Sequence, residues 1–408
     1  MSTGRSRSPP TPSPPSGRAT PRWCDVTGTT TAPATTGNVL AVATVYGLQG
    51  LGYAVIVTAL PAFQERTGLD ATGIAAILLG VCVTAALGSL GADAIARRAS
   101  SRHGVIVGLS LQALGLVATA FSPGTAVLAA SVLVYGLGLG LIDASSNMQG
   151  VLVQRGRATP LLGRFFATLT AGSIVGALGM AGILAAGAPA FATLVGAAVL
   201  QIAFLLAVSG RLSRERAAQS SEWSGPRGPR LDARAITIVG LVILAAYTVD
   251  SAVSSWSSVH LRAIGAAVAI APLGLAAYQG GVLAARLATD AVVRRIGRGR
   301  LLAVSLILGV IGALIVAAVP SPVASIVGFA ISGVAVGALV PIAFGLAGAI
   351  DPGRSDEVIA RVNLFNYAGA VLGAVGVGVL TDVTGSGLAF LLPALLLVAA
   401  VPAWRRAA

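Results

Sequence analysis

The chain contains no lysine, so all 27 of its basic residues are arginine. A nucleotide-driven pump is thereby excluded in its common form, because the Gly-x-x-x-x-Gly-Lys-Ser/Thr loop needs a lysine to reach the phosphates. Cysteine is nearly absent. Cys24 lies in a polar N-terminal stretch and Cys82 inside an apolar run, so neither a disulfide nor a metal site is expected. The two histidines, His103 and His260, fall on opposite sides of the predicted topology and share no metal-ligand spacing. With no Gly-x-Ser-x-Gly elbow either, the sequence argues against an enzyme and predicts no cofactor.

Charge is scarce too, at 10% of residues, whereas 55% are hydrophobic and the mean hydropathy is +0.87. A soluble chain of 408 residues has too little interior to hide that much apolar surface. Runs of roughly 20 apolar residues, the length that crosses about 30 Å of hydrocarbon, occur at 38–62, 71–92, 104–122, 125–150, 164–186, 189–209, 236–260, 266–289, 300–319, 322–349, 360–381 and 386–404. Gly/Pro breaks such as Ser122-Pro123-Gly124, Gly187-Ala188-Pro189 and Pro320-Ser321-Pro322 separate them. The expected fold is an all-α integral membrane protein of twelve transmembrane helices.

Those helices fall into two copies of one pattern. Asp93, Arg97 and Arg98 return 197 positions later as Asp290, Arg294 and Arg295. The offset also relates Gly68 to Gly265, Pro123 to Pro320, Gly136 to Gly333, Gly140 to Gly337, Arg164 to Arg361, and Gly172, Gly176 and Gly179 to Gly369, Gly373 and Gly376. Such a duplication predicts two pseudo-symmetric six-helix bundles, at 37–210 and 235–408. Residues 1–36, with the run Ser8-Pro9-Pro10-Thr11-Pro12-Ser13-Pro14-Pro15, read as a disordered tail; 211–234 read as a flexible linker.

A net charge of +13 raises the question of nucleic acid, but the position of the charges answers it. Arginines gather at the N-terminus, between spans 2 and 3, 4 and 5, 6 and 7, 8 and 9, and 10 and 11, and at the C-terminus, while the alternate loops carry only Arg66 and Arg262. That alternation is the positive-inside pattern. It predicts a cytoplasmic-membrane protein with both termini in the cytoplasm, in contact with lipid rather than nucleic acid.

The run Gly88-Ser89-Leu90-Gly91-Ala92-Asp93-Ala94-Ile95-Ala96-Arg97-Arg98 resembles the Gly-x-x-x-Asp-x-x-x-Arg signature of the major facilitator superfamily of secondary transporters, and Arg286 through Arg300 echo it. Span 7, with Asp250-Ser251-Ala252, Trp256-Ser257-Ser258 and Leu261-Arg262, and span 4, with Gly136, Gly140, Asp143 and Asn147, are similar to a little-characterised bacterial branch. The resemblance covers about residues 37–404 and implies transport of a small solute by alternating access in a unit that works as a monomer. It further implies that spans 1, 4, 7 and 10 line the path, and that Asp93, Arg97, Arg98, Asp290, Arg294 and Arg295 gate its cytoplasmic side, Asp93 accepting from helix N-terminal amides when that side is closed. The span-5 run usual in drug exporters lacks its proline and final glycine pair here, so drug or metabolite efflux is the alternative reading, and a non-transporting sensor a further one.

Two acids inside apolar runs, Asp143 and Asp250, each cost on the order of 3 kcal/mol to insert, so they mark a pathway or serve as structural acids bonded between helices. Removal from water favours the neutral form of a carboxyl, which suits a proton carrier; Asp250 is the first candidate and Asp143 the second. Asn147 shares a helix face with Asp143. Tyr247, Asp250, Ser251, Ser254 and Ser258 form a polar stripe at helical spacing. Tyr46, Gln49 and Tyr53 on span 1, Gln279 on span 8, and Asn363, Asn366 and Tyr367 on span 11 complete the candidate substrate path or serve as glue between helices. Trp256 falls off the stripe, near the outer boundary, and reads as an interfacial anchor, with a substrate-stacking wall as the alternative.

Overall fold

The computed structural model describes residues 36–154, 161–215, 231–351 and 354–405. The expected N-terminal tail, Cys24, Arg155, Arg157, most of the linker and Arg406 lie outside the described residues. Every regular element among the described residues is helical. In the first half the order is α1 (Thr36–Thr58), α2 (Leu60–Thr67), α3 (Ala71–Arg98), α4 (Ser101–Ala120), α5 (Thr125–Gln154), α6 (Leu162–Ala185) and α7 (Ala190–Val208). The second half has α8 (Ala233–Ala263), α9 (Leu273–Ile296), α10 (Arg298–Ala318), α11 (Pro322–Ile350), α12 (Ser355–Val371), α13 (Val377–Thr384) and α14 (Leu391–Arg405).

Helix α2 continues the first span, and a π-turn at Leu372–Gly376 joins α12 to α13 within the eleventh. Ten stretches are long and apolar enough to cross a membrane by length and composition. The remaining two of the twelve are α9, made more polar by Arg286, Asp290, Arg294 and Arg295, and the last helix, whose apolar part is Leu388–Val401. Large apolar side chains stand exposed on the outer flanks, among them Leu87, Leu90, Val175, Leu206, Leu287, Val323 and Leu395. That is the inverse of a soluble surface and fits a lipid-facing belt.

Two expected boundaries move for local reasons. Span 8 begins at Leu273, not near 266, because Gly265 at φ 85° ends α8 and Pro272, which has no amide hydrogen, stands at the N-cap of α9. Helix α3 runs on to Arg98, so Asp93 and Arg97 lie one turn apart on a helix rather than in a loop.

The repeat is explained by backbone contact. A side chain on Gly172 would overlap the carbonyl of Gly47, and one on Gly369 would overlap that of Leu244, 197 positions on in both partners. Gly176 against Leu51 and Gly373 against Thr248 repeat the relation, as do Gly140 against Ala85 and Gly337 against Val282. Thus α6 lies on α1 as α12 lies on α8, and α5 on α3 as α11 on α9. Gly179 meets nothing, so the repeat includes one glycine that no close approach explains.

Candidate functional site

The helices present two ends to water. One, where α3 leads into α4 and α9 into α10, carries the clustered arginines; the other, where α2 leads into α3, is arginine-poor. Polar side chains of both halves converge between these ends.

In the first half α1 meets α5. The Tyr46 hydroxyl donates to Asn147 Oδ1 at 2.6 Å, and Gln49 Nε2 donates to Asp143 Oδ1 at 3.1 Å. A three-residue step on α1 thus matches a four-residue step on α5, as the faces of two packed helices allow. Asp143 is exposed although it stands 11 positions inside α5, so it opens on space within the bundle. In the second half the Tyr278 hydroxyl donates to Asp250 Oδ1 at 2.6 Å. Arg286, two turns along α9 from Tyr278, lies in electrostatic range of Asp250 and donates through one terminal nitrogen to Thr170 Oγ1 of α6 at 3.0 Å, which ties the halves together.

Tyr247 stands between the clusters, within electrostatic range of Asp250, Arg286, Asp143 and Tyr367. Tyr53 reaches toward Ser254 and Asp250 from α1. It also begins an apolar cavity of about 170 Å³ that extends toward the arginine-poor end past Cys82, Tyr135, Ser251 and Ser255.

Some candidates are not part of this convergence. Ser251 donates to the Ala370 carbonyl at 2.7 Å, and Ser258 donates to the Ala271 carbonyl at 3.2 Å, so both hydroxyls serve packing. Ser254 is buried and stays with Tyr53 in the convergence; Gln279 is buried too, and neither it nor the half-buried Asn363 and Asn366 hydrogen-bonds to the described residues. Tyr367 is 65% exposed. Trp256 is no interfacial anchor: it is 1% exposed and donates from Nε1 to the Ala374 carbonyl at 2.8 Å. An indole can lie inside a bundle once its N–H has a partner, and the π-turn supplies that carbonyl.

The two ends differ. At the arginine-rich end Asp93 pairs with Arg97 of its own helix, both about half exposed, and Arg98, Asp290, Arg294 and Arg295 are open to solvent or nearly so. None of these bonds to the opposite half among the described residues. At the arginine-poor end the halves are tied. Asp382 of α13 accepts from the amides of Ala71 at 3.1 Å and Thr72 at 2.6 Å, while Asp70, the N-cap of α3, accepts from Gly73 at 2.7 Å. The first three amides of α3 are thereby satisfied by two acids, one from each half. Arg262 donates to Glu65 Oε1 at 2.9 Å across the same seam. Arg66, the other arginine of this end, donates to the carbonyls of Thr119 and Ala120 and to Ser122 Oγ, closing the end of α4.

Sequence reading missed Arg286, Tyr278 and Asp382. Arg286 was legible as a charge inside an apolar run but was absorbed into the repeated loop pattern. Tyr278 and Asp382 carried no signal, since their partners are 28 and 311 positions away.

A family model described as "Uncharacterised MFS-type transporter YbfB" matches residues 24–208. An uncharacterised MFS-type transporter of Yersinia pestis is 27% identical over 86% of this chain and 91% of its own. The solved structure of a point mutant of the nucleoside transporter NupG superposes with a TM-score of 0.74 at 13% identity, covering 90% of this chain and 99% of the other. The chain is similar to transporters of the major facilitator type and has their fold. The E. coli fucose:proton symporter FucP shares that fold more distantly, with a TM-score of 0.59 at 16% identity over 91% and 98% of the two chains. The polar convergence therefore sits between the halves of a major facilitator fold, with the halves bonded to each other at one end and, among the described residues, not at the other.

Proposed function

We propose that this protein moves a small organic solute across the bacterial cytoplasmic membrane by alternating access, coupled to protons. One observation carries the reading: Asp143, Asp250 and Arg286, an acid from each half and a lone cation at mid-span, converge with tyrosine hydroxyls where the halves meet. Ionisable groups at that depth are retained where they serve a path. A name such as fucose:proton symporter on a protein of the same fold supports the coupling.

In this reading Asp250 carries the proton, with Asp143 as the second acceptor, and Tyr46, Gln49, Tyr53, Asn147 and Tyr247 line the path. Ser251, Ser254, Gln279, Asn363 and Asn366 remain candidates for its wall. The arginine-rich loops and both termini face the cytoplasm, so the arrangement is inward-open. When the cytoplasmic side closes, Asp93 exchanges its partner Arg97 for the N-terminus of α12, and its echo at Asp290, Arg294 and Arg295 supports the second half. A single chain suffices as the working unit.

The test is external pH in proteoliposomes, with sugars, organic acids, amino acids and amphiphilic drugs offered singly to wild type and Asp250→Asn. A solute-dependent proton flux that disappears in the variant is expected. Solute uptake without proton movement in either protein would remove Asp250 from the mechanism.

A further inference from the structure

The guanidinium of Arg286 is left with most of its donors unused. It has five N–H groups, and one terminal nitrogen bonds to Thr170; neither acid comes within ion-pair distance of it among the described residues. It is half-buried and stands ten positions, roughly 15 Å along the axis at 1.5 Å per residue, from the C-terminal end of α9, whose last turns carry the exposed Asp290, Arg294 and Arg295. A cation there needs an anion, and Asp250 meets only part of that need, because its carboxylate already accepts from Tyr278. Across the gap Asp143 is exposed on open space, and Gln49 occupies one of its oxygens.

We propose that the cargo is a small monocarboxylate whose carboxylate docks on Arg286, and that each molecule crosses with one proton. The substrate class rests on Arg286 itself; the proton rests on the coupling proposed above. A planar guanidinium presents paired donors that match a carboxylate's two oxygens, a geometry no neutral solute exploits as fully.

The proton count follows from charge. Arg286 remains protonated throughout. The other groups facing it or its neighbours are the two acids, the phenols of Tyr46 and Tyr53 on α1, Tyr247 on α8, Tyr278 on α9 and Tyr367 on α12, and the Cys82 thiol on α3. Phenols and thiols are neutral near pH 7, so only Asp143 and Asp250 adjust. With the site empty, one ionised acid balances Arg286 and the other holds its proton. When a carboxylate takes the place beside Arg286, neutrality requires the second acid to gain a proton too. Cargo and proton then cross together, one to one, and no net charge moves.

The experiment measures thermal unfolding of the purified full-length protein in detergent with matched probes: benzoate against benzamide, and lactate against lactamide. Carboxylates should raise the unfolding temperature while the amides do not. Arg286→Gln should weaken the half-saturating concentration by roughly tenfold or more, and Arg286→Lys should recover part of it. Should Arg286→Gln fail to fold, the Lys variant and the acid–amide comparison still decide. Equal stabilisation by the amides, or an undiminished response in Arg286→Gln, would overturn the assignment. Proton-coupled flux of a neutral solute would do so as well while leaving the proposed function intact. In proteoliposomes, carboxylate uptake driven by a pH gradient should be unchanged by an imposed membrane potential; a potential-dependent rate would overturn the one-to-one count.

Discussion

Trp256 shows how one side chain can be misplaced by composition and put right by a single partner. Its indole meets the Ala374 carbonyl, and Gly378 leaves no room for a side chain between that ring and Ala75 of α3. Trp256→Phe would strand the buried carbonyl and should lower stability by about 1–3 kcal/mol, seen as a lower unfolding temperature in detergent; an unchanged midpoint would return the indole to the interface. The charged residues of the site are also individual in a second sense. At the repeat offset of 197, Asp143 corresponds to Val340, Asp250 to Tyr53 and Arg286 to Ser89. Packing glycines recur in both halves, whereas the mid-span charges occur once each. Symmetry serves the scaffold, and the proposed chemistry lies where symmetry is broken.

At the scale of elements, the glycine contacts set how closely α6 approaches α1 and α12 approaches α8. Gly172→Val drives a branched side chain against the backbone of α1, which cannot rotate away, and should destabilise by about 1–3 kcal/mol or more. Gly179→Val, two turns along the same helix, meets open space and should stay within about 0.5 kcal/mol of wild type. Size-exclusion profiles and melting curves compare the two, and equal losses would remove the close-approach explanation. Helices α3 and α13 have a related logic at their ends. Asp382 at the close of α13 caps the start of α3, and the Asp93 signature at the close of α3 stands on the side where α12 begins. Each span ends in an acid suited to the other's N-terminal amides, so the alternating access proposed here would have one capping acid for each end.

For the whole molecule, the tied arginine-poor end is a balance that can be shifted. Asp382→Ala removes two charge-assisted bonds, each worth about 1.5–3 kcal/mol when buried and less where exposed as here, so a shift of roughly tenfold toward the opposite opening is expected. Glu65→Ala should add little, since exposed ion pairs contribute about 0–1 kcal/mol. Cys82 reports the change, because it lines the apolar cavity behind that seam. In a Cys24→Ala background, a polar maleimide should label Cys82 several-fold faster in Asp382→Ala. An unchanged rate would mean that Asp382 does not hold the seam.

The sequence by itself determined the number of spans, the duplication, the alternation of arginine between loops and the presence of two acids at depth. These are sums over single residues: hydropathy is additive along a helix, charge is counted loop by loop, and a glycine repeat survives because each copy packs its own helices. Only the tertiary structure decided which polar groups meet. Tyr46 with Asn147, Tyr278 with Asp250, Arg286 with Thr170 and Asp382 with the α3 amides join positions 101, 28, 116 and some 310 apart. Such pairs depend on how far each helix slides and turns against its neighbour. A shift of one residue rotates a side chain by about 100°, and that register is set by contacts between elements rather than by the periodicity within any one of them.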